Sequence, residues 1–107
     1  MAVALQIRSK DVSETRVVSV DYTDKLDSDE TLSGTVVATE QSTSDLTISG
    51  AGLNGTQMEI NGRTVAANKS LGFTVAGGTV GKLYTIQVTV NTSNSQVFVD
   101  DVRLQVN

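Results

Sequence analysis

Two groups of carboxylates are the side chains of this chain best placed, by type and spacing, to do chemistry. Asp100 and Asp101 are adjacent inside an apolar run near the end, and Asp21, Asp24, Asp27, Asp29 and Glu30 crowd one polar stretch. Paired carboxylates can serve glycoside hydrolysis, one on each side of the scissile bond. They can also serve calcium, which takes about six to eight oxygen ligands. The 21–30 stretch lacks the spaced ligands and fixed glycine of a calcium loop, so solvated loop carboxylates are the plainer account of it. Hydrolysis needs a deep cleft, usually lined with aromatics, and the chain has two Phe, two Tyr and no Trp. The sequence contains no His and no Cys. The commonest general base, the commonest transition-metal ligand and all thiolate chemistry are therefore missing. No convergent catalytic set emerges. The sequence predicts no enzyme, no cofactor and no metal centre.

The glycines at 50, 52 and 55 and at 77, 78 and 81 do not form phosphate cradles. Neither set is followed by Lys-Ser/Thr or sits in a strand-then-helix setting, so both are read as turn residues. Asn54, Asn68 and Asn91 each begin an Asn-x-Ser/Thr triplet. Such triplets arise by chance in a Ser/Thr-rich chain.

Strands must position these residues. Leu71, Phe73 and Val75 alternate with polar or small neighbours, as do Tyr84, Ile86, Val88 and Val90, and then Val102, Leu104 and Val106. Successive side chains of a strand point to opposite faces, so each run has one dry and one wet face. Val18, Val20 and Tyr22 mark an earlier strand, Leu32–Thr39 a β-prone one, and Leu46 with Ile48 another, ended by Gly50, Gly52 and Gly55. Met58 and Ile60 lead into Asn61-Gly62, a strong two-residue hairpin signal, with Thr64–Ala67 on its far side. Leu26 is expected to plug the core from a turn. The sum is an all-β chain, an antiparallel β-sandwich of about seven to eight strands. Asp100 shares parity with Phe98 and Val102, so a regular strand would bury it. A bulge near Asp100 would avoid the cost of an unpaired buried carboxylate.

The N-terminal run Val3, Leu5, Ile7 alternates with Ala4 and Gln6. It reads either as a first strand or as an extended arm that pairs with another protein. Residues 1–16 are accordingly read as that strand or arm, and 17–107 as the sandwich, within a single domain. At 107 residues such a domain can be stable without disulfides. The net charge of −4 and the dispersed basic residues argue against a nucleic-acid partner. No stretch has membrane-spanning length. The opening Met1-Ala-Val-Ala-Leu-Gln-Ile-Arg has no basic segment followed by a long apolar one, so a cytoplasmic product without a signal peptide is expected.

Two segments resemble a known family. The first is Lys10-Asp-Val-Ser-Glu-Thr-Arg-Val-Val-Ser-Val-Asp-Tyr-Thr-Asp-Lys-Leu-Asp-Ser-Asp-Glu-Thr-Leu-Ser, and the second is Ala76-Gly-Gly-Thr-Val-Gly-Lys-Leu-Tyr-Thr-Ile. Both are similar to small immunoglobulin-like virion-associated proteins of tailed bacteriophages. The family's usual proline after the Lys-Asp opening is Val12 here, and its usual Trp after the Val-Asp strand is absent. The resemblance implies an immunoglobulin-like sandwich in which Tyr84, framed by Gly77, Gly78 and Gly81, folds over a corner and bonds backbone through its hydroxyl. It also implies a structural protein of the virion, made in the bacterial cytoplasm. The leading expectation is a capsid decoration (cement) protein, whose partners are the major capsid protein or neighbouring copies of itself, with no nucleic acid and no membrane. Val3, Leu5 and Ile7 are the candidate contact residues. The alternatives are a head–tail connector or tail accessory, or a non-viral adhesion or sugar-binding module.

Overall fold

The computed structural model describes residues 4–41, 44–60 and 62–107, with side chains from Ser9 onward. Among these residues the chain forms nine strands and no helix: β1 (Ala4–Lys10), β2 (Arg16–Asp21), β3 (Leu32–Glu40), β4 (Leu46–Leu53), β5 (Met58–Ile60), β6 (Arg63–Val65), β7 (Ser70–Gly77), β8 (Leu83–Thr92) and β9 (Val97–Val106). One sheet has the order β1-β9-β8-β3 and the other β2-β7-β4, while β5 and β6 form a separate hairpin. With β2 taken as strand B, these orders match the B-E-D and C-F-G sets of immunoglobulin-type sandwiches.

The apolar parity of the sequence builds the core directly. Leu71, Phe73 and Val75 of β7 face Ile86, Val88, Val90, Val102, Leu104 and Val106, and all are essentially inaccessible to solvent. Each such side chain stabilises the fold by about 1.5–3 kcal/mol relative to exposure. Leu26 and Tyr22 close one end of this core from the turn after β2. The long β8–β9 ladder keeps one unbroken register, pairing Leu83 with Gln105 at one end and Asn91 with Val97 at the other.

Four features depart from the sequence expectations. β1 runs parallel to β9, with Lys10 opposite Val106, where an all-antiparallel sandwich was expected. Parallel neighbours need a long crossover, and here nearly the whole domain intervenes between the two strands. Gly50 and Gly52 do not end β4. The strand continues to Leu53 because β7 is long enough to pair with it, and the irregularity between Ser49 and Gly52 is absorbed as a bulge. The partner of β5 is Arg63–Val65 rather than 64–67, with Ile60 opposite Arg63. No bulge occurs at Asp100, which lies opposite Val88 in the regular ladder.

Of the two accounts of the N-terminal segment, strand or arm, residues 4–10 adopt the strand. Val3, Asn61 and the side chains of Leu5 and Ile7 lie outside the described residues.

Candidate functional site

Asp100 is the most unusual side chain of the fold. It is 0% exposed, because strand parity turns it inward among valines and leucines. Its cost is offset by partners from the turn after β2. Tyr22 Oη donates to Oδ2 at 2.8 Å, and Lys25 Nζ donates to Oδ1 at 2.9 Å and Oδ2 at 3.0 Å. Lys25 is held there by aromatic faces as well. Its Nζ sits 4.5 Å from the Phe98 ring centre, and Phe98 stacks on Tyr22 with centroids 5.6 Å apart. Burial first, and then the Asp100 carboxylate, push the Tyr22 hydroxyl far above its ordinary range. This arrangement satisfies a buried charge and pins a turn. It holds no nucleophile paired with a base, and Asp101 points to the opposite face.

A second tyrosine–carboxylate pair lies at the start of β8. The Tyr84 hydroxyl accepts the Thr79 backbone N–H at 2.7 Å and donates to Asp45 Oδ2 at 2.9 Å. Lys82 Nζ lies 3.5 Å from the same carboxylate. The hydrogen bond from Tyr84, followed by the Lys82 charge, holds the Asp45 carboxyl below the usual carboxylate range. The preceding glycines make the corner possible. Gly77 and Gly78 have φ of +81° and +99°. A Cβ on Gly78 would approach Val106 Cγ2 to 2.8 Å, and one on Gly77 would approach the Asp45 carbonyl to 2.9 Å. Gly81 closes the turn by donating its N–H to the Val106 carbonyl at 2.8 Å.

The acidic stretch after β2 divides into separate structural tasks. Asp24 takes a two-pronged bond from Arg63 at 2.9 Å on each arm, tying the β5–β6 hairpin to this loop, and Arg63 holds its carboxyl low. Asp21 caps the Thr23 N–H at 2.9 Å. Glu30 is buried at 2% exposure. The Thr92 hydroxyl, and then the Asp27 N–H, hold its carboxyl low. Among the described residues no three acidic, His or Cys side chains converge as a metal cage. Asn54 and Asn68, both read as chance triplets, staple the base of the hairpin. Asn54 Nδ2 donates to the Ala66 carbonyl at 2.8 Å, its Oδ1 accepts the Ser70 N–H at 3.0 Å, and the Asn68 N–H donates to the Asn54 carbonyl at 2.7 Å.

What remains for function is surface. Outward positions of β3, β8 and β9 are chiefly Thr, Gln, Asn and Val, with Val37 and Val97 exposed by 50% and 58%. Val37 lies opposite Thr89, and Thr89 opposite Val99, so a Val–Thr–Val row crosses three strands. On the other side, a cavity of about 280 Å³ opens between the edges of the two sheets, lined by Ser9, Arg16, Val17, Val18, Glu59, Ile60 and Leu104 among others. No local pattern announces this seam, because its walls come from β1, β2, β5 and β9.

Residues 10–105 match the protein family described as "Podophage GP4 fiber-tail adaptor protein gp77". The chain belongs to that family. It is therefore a structural protein of a tailed phage, associated with the virion and with other phage proteins. No curated protein matches the chain. The family description agrees better with the tail-accessory alternative than with capsid decoration.

Proposed function

We propose that this protein is a tail accessory that joins fibres to the phage tail and acts by binding alone, without catalysis. The observation that carries this is the family match over residues 10–105, nearly the whole sandwich. The geometry is compatible with such a role. Both carboxylate–tyrosine pairs are consumed in holding turns, while the sheet faces and edges remain for contact. A rigid sandwich with two broad sheet faces can bridge two neighbours at once, and its binding to the assembled form stabilises the junction by mass action.

The test is genetic and structural. Phage particles made without this protein are expected to carry complete tails that lack fibres. Purified protein added to fibreless particles together with fibres is expected to restore attachment. Particles that keep their fibres in its absence would overturn the adaptor role, and loss of shell integrity instead would favour decoration.

A further inference from the structure

We infer that the outer face of β3, β8 and β9 docks a second copy of this chain, face to face about a twofold axis that crosses β9 at Val102 and β8 at Ile86. Such a dimer goes beyond the adaptor role and does not depend on it.

The charges on this face are self-complementary. Asp101 and Arg103 lie two residues apart on β9. Both point outward, because Asp100, Val102 and Leu104 around them are buried. Neither side chain makes a hydrogen bond or ion pair with another described residue. That sets Arg103 apart, since the other basic side chains described are all engaged. Arg16, Lys25, Arg63 and Lys82 pair with carboxylates, and Lys10 and Lys69 donate to backbone carbonyls. The remaining outward positions of the three strands are uncharged, so the face is neutral within a chain of net charge −4. A second copy can approach here without the like-charge repulsion that the acidic surface elsewhere imposes.

The register of the ladder shows that one rotation satisfies the whole face. Gln87 lies beside Asp101, Thr85 beside Arg103, Thr89 beside Val99 and Leu83 beside Gln105. A twofold axis between two stacked sheets, perpendicular to the strands and above Val102, reverses strand direction and keeps strand order. It sets Asp101 of each copy against Arg103 of the other. The same operation sets Leu83, 49% exposed, against Thr89 in the middle of the Val37–Thr89–Val99 row. Charges and apolar groups are thus matched together, as an isologous contact requires. Stacked sheets lie about 10 Å apart, a gap that an arginine and an aspartate span between them. The natural offset of aligned sheets, about 30°, leaves the central pairs in reach.

The test is self-association of the purified chain, followed by analytical ultracentrifugation. Wild type should dimerise as its concentration rises. Asp101→Arg and Arg103→Asp each place like charges face to face, and each should weaken the dimer at least about tenfold. Both are surface changes, so melting temperatures should stay within a few degrees of wild type. Mixed in equal amounts, these two variants should form a heterodimer about as tight as the wild-type dimer, because one offers two positive charges to the other's two negative ones. Leu83→Glu should weaken association through the apolar contact alone. A wild-type chain that stays monomeric at about 1 mM would overturn the proposed dimer. A dimer that neither charge reversal weakens, or a mixture that stays monomeric, would overturn the proposed face. Each of these results leaves the adaptor role standing, since fibre attachment tests that role separately.

Discussion

The fold holds two tyrosine–carboxylate–lysine clusters, one against the interior of the β8–β9 ladder at Asp100 and one at the start of β8, and they solve different problems. At Tyr22, Lys25 and Asp100 the carboxylate is fully buried and the lysine is 41% exposed. At Tyr84, Lys82 and Asp45 the carboxylate is itself 36% exposed and the lysine 52%. In the first cluster the ion pair offsets the cost of a charge in the core. In the second, water can solvate the charge, and the tyrosine hydroxyl matters for the backbone N–H it accepts. The same three residue types therefore contribute differently because burial differs. A buried charge makes its partner indispensable, whereas an exposed one makes its partner optional.

The sharpest way to break this contrast is to remove one lysine at a time. Lys25→Met leaves the Asp100 carboxylate buried with Tyr22 alone, and urea unfolding should show a loss of about 3 kcal/mol. The double variant Lys25→Met/Asp100→Leu should recover most of that loss, because an apolar pair needs no compensation. Losses that simply add would show that the pair is not coupled.

The next largest effect is alkaline. Tyr22 has its folded value raised, by burial first and by Asp100 second. A group raised on folding contributes stability that is complete below its unfolded value, about 10 for tyrosine, and is lost as pH climbs toward the folded one. Stability should therefore fall above about pH 10, and Tyr22→Phe should flatten that limb of the denaturation profile.

Tyr84→Phe should follow, with a loss of about 1 kcal/mol in the same urea experiment, because the Thr79 N–H loses its acceptor. The smallest effect belongs to Asp45→Asn. The Asp45 carboxyl is lowered on folding, so its contribution is present above the ordinary carboxylate value, about 4, and disappears as pH falls through the folded one. The Asn variant should change little at neutral pH and should show a shallower acid limb. An Asp45→Asn loss larger than that of Lys25→Met would reverse the contrast between the clusters.

Much of the fold was legible because parity is local. Leu71, Phe73 and Val75, and the longer runs of β8 and β9, carry their burial in their spacing, so sheet faces follow from the sequence alone. Asp100 shows where that stops. Its inward direction was legible, but Tyr22 and Lys25 come from 78 and 75 residues away, and nothing in the local pattern announces them. A bulge was the natural local remedy, while the fold uses a distant one. Gly50 and Gly52 failed as strand ends for a related reason. A glycine punctuates a strand only if the neighbouring strand stops too, and β7 does not. The seam between β1 and β2 was invisible because it depends on which sheet the first strand joins. Periodicity cannot specify that choice. The virion setting was legible through resemblance in the 10–33 and 76–86 segments. The place in the virion was not, since one sandwich can serve shell or tail.

That place is the central claim, and a cryo-electron reconstruction of the intact phage tests it most directly. The sandwich should appear at the junction of tail and fibres, in contact with both. Copies bound instead at icosahedral positions on the outer shell would contradict the adaptor account and return the protein to capsid decoration.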